Sequence, residues 1–382
     1  MAAYLSVKEV WRNKGRFFLF SLVIALIAIL VLFTAGLGEG LASANKEYLE
    51  KLDAELLAFQ SDTGYSTIES RIEYRKIQRI RRVEGVADAG PIAFSNVKVV
   101  LEQGSEPIDV SFIGVEPGKP GAPTAVVGDD LRSKRAKVVL IDQGVADEAN
   151  IGVGDSITIQ VTQGTEDELY DLRVAGITDG QQYFFRPSIF VTLPVWDQYR
   201  PKADPGVYSS QPAVNVIAIR AEDPAALESI PARISAVVDD VETTDIRTAY
   251  ESTPGYSAQQ STLNTIKGFT FLIGALVIGG FFQIQTLQKI PQIGMLKAIG
   301  TPNPIVATAS VMQIIFVTVF GVLLGGVVTL GLTAAMPAGV PILFTGTSIL
   351  ITIVSLLLIG PLGGMVSIRM ALKVEPLSAL GM

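Results

Sequence analysis

The sequence predicts an α-helical membrane protein with four transmembrane helices and an α+β extracytoplasmic domain inserted between the first and second of them. Three observations carry that prediction. Four apolar runs without a charged residue are long enough to span a bilayer, they are unevenly spaced, and the segments on their two sides carry opposite charge.

The first run, Phe17–Leu37, has 21 residues. At about 1.5 Å per residue it reaches roughly the 30 Å of a hydrocarbon core. Gly268–Gln288, Ile305–Leu332 and Ser348–Ile368 follow the same rule, the third run being long enough to need tilt or a frayed end. The expected helices are therefore 17–38, 263–288, 305–334 and 348–368. A cleaved signal peptide has a shorter apolar stretch and a small-residue cleavage site, so the first run is expected to remain as an anchor.

Orientation follows from charge, because Lys and Arg beside short loops resist translocation. The segment 1–16 holds Lys8, Arg12, Lys14 and Arg16 against Glu9; the short loop 289–304 holds Lys289 and Lys297; the tail 369–382 holds Arg369 and Lys373 against Glu375. Residues 39–262 instead carry 21 basic and 35 acidic side chains, a net of −14. Both termini and the 289–304 loop are expected in the cytoplasm of a bacterial plasma membrane, with the acidic domain and the 335–347 loop outside. An acidic exported domain argues against a nucleic-acid partner, which would call for a basic surface.

The chain has neither cysteine nor histidine. The usual zinc sites, Cys–His and Ser–His catalytic sets and any imidazole base are thereby excluded. The stretch Gly114-Val-Glu-Pro-Gly-Lys-Pro has the wrong spacing for a phosphate-binding loop and no Ser or Thr after its lysine. No enzymatic activity is expected of this chain.

Within the exported domain, β-branched runs bounded by Gly, Pro or Asp predict strands at Val97–Glu102, Lys137–Ile141, Ser156–Thr162, Leu172–Ile177, Ser188–Leu193 and Asn215–Arg220. Helical spacing of apolar residues predicts helices over Glu69–Arg82 and Asp223–Val238. The glycines of Gly152-Val153-Gly154-Asp155 read as a tight turn into a strand. Leu41–Phe59 is expected to extend the first span outward as a stalk helix, and Pro254–Ile266 to return.

The sharpest motif is the loop Gln288-Lys-Ile-Pro-Gln-Ile-Gly-Met-Leu-Lys-Ala-Ile-Gly300, which sets Ile293, Leu296 and Ile299 near one face of a short helix that Thr301-Pro302-Asn303-Pro304 stops. A helix so short needs a surface to lie on. Lipid headgroups or a protein groove would serve.

This loop resembles the coupling segment of the FtsX/MacB family of ABC-transporter permeases, and the order of one span, exported domain and three spans resembles that family's layout. The tail from Arg369 to Gly381, with its Glu375-Pro376 pair and Ala379-Leu380, is similar to the family's ending. Phe281-Phe282, Thr286-Leu287-Gln288-Lys289-Ile290, Gln292-Ile293-Gly294, Met336-Pro337 and Lys373–Gly381 resemble haem-exporting permeases of the HrtB type, as do Leu32-Phe33, Gly36-Leu37 and Gly40-Leu41. The resemblance implies a MacB-like fold, a separate cytoplasmic ATPase that uses ATP and magnesium, a second copy of the chain, surrounding lipid, and haem as transported substrate. It places ATPase coupling at Ile293, Gly294, Leu296, Lys297, Ala298, Ile299 and Gly300.

With no imidazole in the chain, haem iron would be met by phenolate, thioether or carboxylate. Tyr183 is one ligand candidate, beside Phe184 and Phe185 for stacking and Arg186 for a propionate; a packed aromatic turn is the plainer reading of the same cluster. Glu39 is the second, one residue past an uncharged stretch and between Gly38 and Gly40, which would let a backbone or a flat ligand approach. Met336 is the third. A peptide or antibiotic exporter of the same family, and a non-transporting regulator of an extracellular cell-wall hydrolase, remain alternatives that would share the coupling segment.

Overall fold

A computed structural model describes residues 14–101, 106–132, 136–203, 213–336 and 340–373, which form two compact units, 1–41 with 259–382 and 42–258. Lys8, Arg12, Glu102, Pro337 and the tail motif beyond Lys373 lie outside the described residues.

The membrane unit contains four helices that are long and apolar enough to cross a bilayer. They are α1 (Lys14–Glu50, whose last turns belong to the outer unit), α7 (Tyr256–Gln288), α9 (Asn303–Ala334) and α10 (Gly346–Lys373), with a short α8 (Ile290–Ala298) between α7 and α9. Each helix buries one stripe. Phe17, Ile24, Ala28, Val31, Ile278, Phe282, Ile314, Val317, Leu356 and Ile359 meet in one cluster. The remaining faces stay apolar, with Leu26, Leu276, Leu323, Val327 and Leu350 exposed, as hydrocarbon rather than water requires. Polar side chains within the unit are mostly paired internally: Thr286 and Ser367 share a hydrogen bond of 2.5 Å, and Ser367 Oγ donates to the Phe282 carbonyl.

The outer unit is built on a ten-stranded sheet. Its strands are β1 (Leu56–Phe59), β3 (Val86–Val100), β4 (Ile108–Val115), β5 (Val127–Gly128), β6 (Val138–Asp142), β7 (Ser156–Gln163), β8 (Glu166–Thr178), β9 (Ser188–Thr192), β11 (Val216–Ala221) and β12 (Glu242–Asp245). They run in the order β12-β1-β11-β3-β4-β9-β6-β8-β5, and β7 pairs with both β3 and β8. The β4–β9 and β6–β8 pairs are parallel. A separate pair joins β2 (Ile72–Glu73) to β10 (Ala213–Val214).

Both faces of the sheet are covered, and the two-residue period of a strand divides its apolar residues between them. Leu56, Ala58, Phe112, Val139, Ile141, Ile189, Val191, Ile217 and Ile219 enter one core. There they meet α2 (Tyr74–Ile80), α3 (Gln143–Ala149), α4 (Leu193–Tyr199) and α5 (Ile230–Val237). Their neighbours Leu57, Phe59, Ile113, Leu140, Phe190, Val216 and Ala218 enter the other, with Tyr48 and Leu49 of α1 and with Ala249 and Tyr250 of α6 (Ile246–Glu251).

The four-span, inserted α+β architecture is the one the sequence predicts. Three elements are corrected. The stalk does not run as helix to Phe59: α1 ends at Glu50, and Leu56–Phe59 is a strand between β12 and β11 with all four side chains buried. Glu69–Arg82 contains only the short α2, because Ile72 is drawn into a strand pair with β10. Asp223–Val238 splits into a turn of 3₁₀ helix at Pro224–Ala226 and α5, with Pro231 at the start of α5. The Gly152–Asp155 turn is as expected: Gly152 N–H donates to Asp155 Oδ2 at 2.8 Å, Gly154 takes a positive φ, and β7 begins at Ser156.

Candidate functional site

The segment between α7 and α9 forms α8, as its apolar spacing predicts, and its end is fixed by backbone geometry. Gly300 has φ +95°, its N–H donates to the Lys297 carbonyl at 3.0 Å, and Thr301 N–H donates to the Leu296 carbonyl at 3.0 Å. That pair of bonds closes a helix C-terminus around a left-handed residue, a role for which glycine is suited.

The three residues expected on one face do not share one environment. Ile293 is buried against Val306 of α9, and Gly294 beside it is also buried. Leu296 and Ile299 are exposed, Ile299 by 79%. Lys297 Nζ donates to the Leu372 carbonyl at 2.7 Å, which ties α8 to the end of α10. Ala298 and Gly300 are exposed. Ile293 and Gly294 thus secure the helix to its own protein, while Met295, Leu296 and Ile299 offer apolar surface.

In the membrane unit, Glu39 Oε2 accepts from Ser348 Oγ at 2.9 Å. Of the two glycines beside it, the expected close approach occurs at Gly40, and the approaching group there is backbone. A side chain at Gly40 would collide with the Pro341 carbonyl, and one at Gly36 with the Phe344 ring, while Leu343 N–H donates to the Gly36 carbonyl at 3.1 Å. Gly38 faces Leu263 and the Lys267 ammonium. Met336 follows the end of α9 and is exposed, its N–H donating to the Thr333 carbonyl.

Tyr183, Phe184, Phe185 and Arg186 form one tight turn in the outer unit, with Tyr183 N–H donating to the Arg186 carbonyl at 3.0 Å. Phe184 and Phe185 both adopt left-handed backbone, φ +53° and +62°. Bulky side chains rarely do so, and strain of this kind persists only where surrounding contacts over-determine it. Here the end of α1 supplies them: Phe185 N–H donates to the Ala44 carbonyl and Tyr48 N–H to the Gln182 carbonyl, each at 3.0 Å. Ala44 and Tyr48 stand four residues apart, so the turn is laced to groups that an ordinary α-helical turn pairs with each other.

The Tyr183 ring stacks on Phe94 at 4.6 Å and is only 4% exposed, and its hydroxyl hydrogen-bonds Thr67 Oγ1. Burial pushes its pKa up to about 12. The phenolate needed for iron ligation is therefore disfavoured in this arrangement. Phe185 is exposed; Phe184 and Arg186 are half-buried.

Beneath this loop Asp142 is 1% exposed. Burial raises its carboxyl to about 6 and the Glu47 charge adds to the rise, while the Gln181 N–H, donating to Oδ1 at 3.1 Å, opposes it. A carboxyl raised in the folded state stabilises the fold while protonated. That contribution is complete below about pH 4 and is lost as pH rises through about 6, an effect on the order of 3 kcal/mol. The outer unit should therefore unfold at a higher temperature at about pH 5 than at about pH 7.5, and Asp142→Asn should flatten the difference; Trp196 fluorescence during heating checks it.

Comparison with known proteins places these features in a family. The family model described as a MacB-like periplasmic core domain matches residues 17–237, and that described as an FtsX-like permease C-terminal matches residues 264–376. A Staphylococcus haemolyticus protein named as the hemin transport system permease HrtB is 28% identical over 99% of both chains. A protein so named in Staphylococcus epidermidis is 24% identical over 99% of both. The solved periplasmic region of MacB from Actinobacillus actinomycetemcomitans is 11% identical, with a TM-score of 0.37, and covers 52% of this chain and 92% of that one. With a MacB-like periplasmic core followed by an FtsX-like permease region, the chain belongs to the FtsX/MacB family of ABC-transporter permeases.

Proposed function

We propose that this permease is half of the membrane part of an ATP-driven exporter that removes haem from the lipid bilayer. The observation that carries the reading is its similarity, over 99% of both chains, to permeases named for hemin transport. In this reading both termini and α8 are cytoplasmic. Two copies provide eight spans and a two-fold seat for a separate ATPase dimer, which binds ATP and magnesium and meets α8 through Leu296 and Ile299. ATP binding closes the ATPases, α8 moves, and the spans rock as rigid bodies to expel haem outward; the permease performs no bond chemistry.

Among the ligand candidates, Glu39 and Met336 carry more weight than Tyr183. A carboxylate held by one serine hydroxyl exchanges partners more readily than a buried, protonated phenol. Titration of the purified protein with ferric haem, followed by absorption spectroscopy, tests this. Glu39→Ala is expected to shift the Soret band of the bound species and Tyr183→Phe to leave it in place. Spectra identical to wild type in both variants would remove both residues as ligands.

A further inference from the structure

We propose that a cavity of the membrane unit, between the end of α7, α8 and the first turns of α9, binds a phospholipid from the leaflet that borders α8. Its headgroup would join a phosphate to hydroxyls, as in phosphatidylglycerol. The phosphate would meet the Lys289 ammonium, and a hydroxyl would donate to Gln285. The site is apart from the haem candidates, and the inference needs neither haem nor the ATPase.

The cavity has a volume of 490 Å³, within the range of small-molecule sites. That is room for a headgroup and its glycerol, with the acyl chains left in the surrounding hydrocarbon. Two helical stripes line it. Phe282 and Gln285 of α7 and Lys289 just beyond follow a spacing of three and four residues, and so do Val306, Ser310 and Gln313 of α9. Ile293 of α8, packed on Val306, adds to the apolar part of the wall. The lining is thus that of an amphiphile's site, apolar with a few placed polar groups.

Elsewhere in the membrane unit buried hydroxyls are served by the protein itself. Thr286 and Ser367 bond each other, and Thr270, Thr318 and Thr329 each donate to the carbonyl four residues earlier. Gln285 breaks that pattern. It is 4% exposed, and among the described side chains of this unit its Oε1 is the buried polar atom without a partner. Hydrocarbon offers no donor, so an acceptor buried there calls for one brought by a ligand. A single water would serve the acceptor but leave most of the cavity unfilled.

Charge selects the rest of the headgroup. Lys289 is the one charged residue in the described lining, which holds no Asp or Glu. Its Nζ donates to Gln313 Oε1 at 3.2 Å and stands 6.0 Å from the centre of the Phe17 ring, so neutral groups of α9 and α1 set its position. A cation in a pocket between spans, at the end of the apolar stretch, attracts an anionic headgroup. Phosphatidylglycerol meets both demands, with phosphate for the ammonium and hydroxyl for the Gln285 acceptor. Phosphatidylmethanol carries the same charge without the hydroxyls, and phosphatidylcholine has neither net charge nor donor.

These three lipids, with identical acyl chains, are titrated into the full-length protein in a mild detergent, and occupancy of the first lipid adduct is read by native mass spectrometry. Phosphatidylglycerol is expected to bind about tenfold more tightly than phosphatidylmethanol and about a hundredfold more tightly than phosphatidylcholine. Gln285→Met should bring phosphatidylglycerol down to the level of phosphatidylmethanol and leave phosphatidylmethanol unchanged. Lys289→Gln, which can still bond Gln313, should weaken both anionic lipids about tenfold. Gln285→Met also removes an unpaired buried group, so the melting temperature should hold or rise; a purely structural role would move that temperature and leave the lipid preference intact. Equal affinity for phosphatidylglycerol and phosphatidylcholine, or a preference that neither variant reduces, would overturn the proposal. So would displacement of the lipid by an equal concentration of glycerol 1-phosphate, which would mark a site for soluble phosphate esters. The titration contains neither haem nor ATPase, so its failure and a failure of the proposed export function are read separately.

Discussion

Leu296→Asp is expected to release the partner ATPase while the permease still inserts and folds. Leu296 is exposed on α8, so the substitution removes no contact from the permease's own core. A helix of nine residues does not persist alone in water. This one is held by Ile293 against Val306, by Lys297 on the Leu372 carbonyl and by the Gly300 closure. A platform formed in advance loses little entropy when a partner settles on it. Its Met295, Leu296 and Ile299 side chains are then the apolar anchor, and a carboxylate in that anchor would be desolvated without a partner. The loss should exceed about 3 kcal/mol, more than a hundredfold in affinity. Co-purification of the two subunits from membranes measures it, with Ile293→Asp as the contrasting variant, since a charge against Val306 should lower the yield of the permease itself. An intact complex carrying Leu296→Asp would sink the proposed coupling.

The features legible in sequence were those with a single physical solution. A run of 21 residues without a charge has few alternatives to a bilayer, and each such run lies within a helix long and apolar enough to cross one. The outer sheet was legible only in part, because its central strands owe their state to distant partners. β4 carries Asp109, Ser111 and Gly114, which break the β-branched signal, yet it lies between β3 and β9. Gly114 is itself explained by packing, since a side chain there would meet the Trp196 ring of α4. Leu56–Phe59 continues an apolar pattern that begins in α1, and only its pairing with β11 and β12 shows it to be a strand. In α8 the spacing of Ile293, Leu296 and Ile299 located a face, but burial by Val306 decides which of them is available. The Phe184-Phe185 turn contains none of the residues that favour positive φ, so its shape follows from the bonds to Ala44 and Tyr48.

Tyr48→Ala should strongly destabilise the outer unit. Tyr48 is 1% exposed at the end of α1, and its ring contacts Phe190 at 5.3 Å, Phe94 at 6.1 Å and Tyr183 at 6.3 Å. Its hydroxyl donates to the Gly121 carbonyl at 2.7 Å. Removing the ring opens a cavity at the junction of helix, sheet and aromatic turn, costing about 3–5 kcal/mol by comparison with other buried aromatics. The unpaired Gly121 carbonyl adds roughly 1–3 kcal/mol. Tyr48→Phe keeps the ring but still removes the donor to the Gly121 carbonyl, so it should lose only that roughly 1–3 kcal/mol, and thermal unfolding of the two variants separates packing from hydrogen bonding. The comparison also bears on mechanism. If motion of α1 is delivered to the sheet through this residue, Tyr48→Ala should abolish export while leaving ATPase docking at α8 intact. Haem-export assays beside co-purification check this: export unaffected by the alanine would show that force reaches the outer unit by another route.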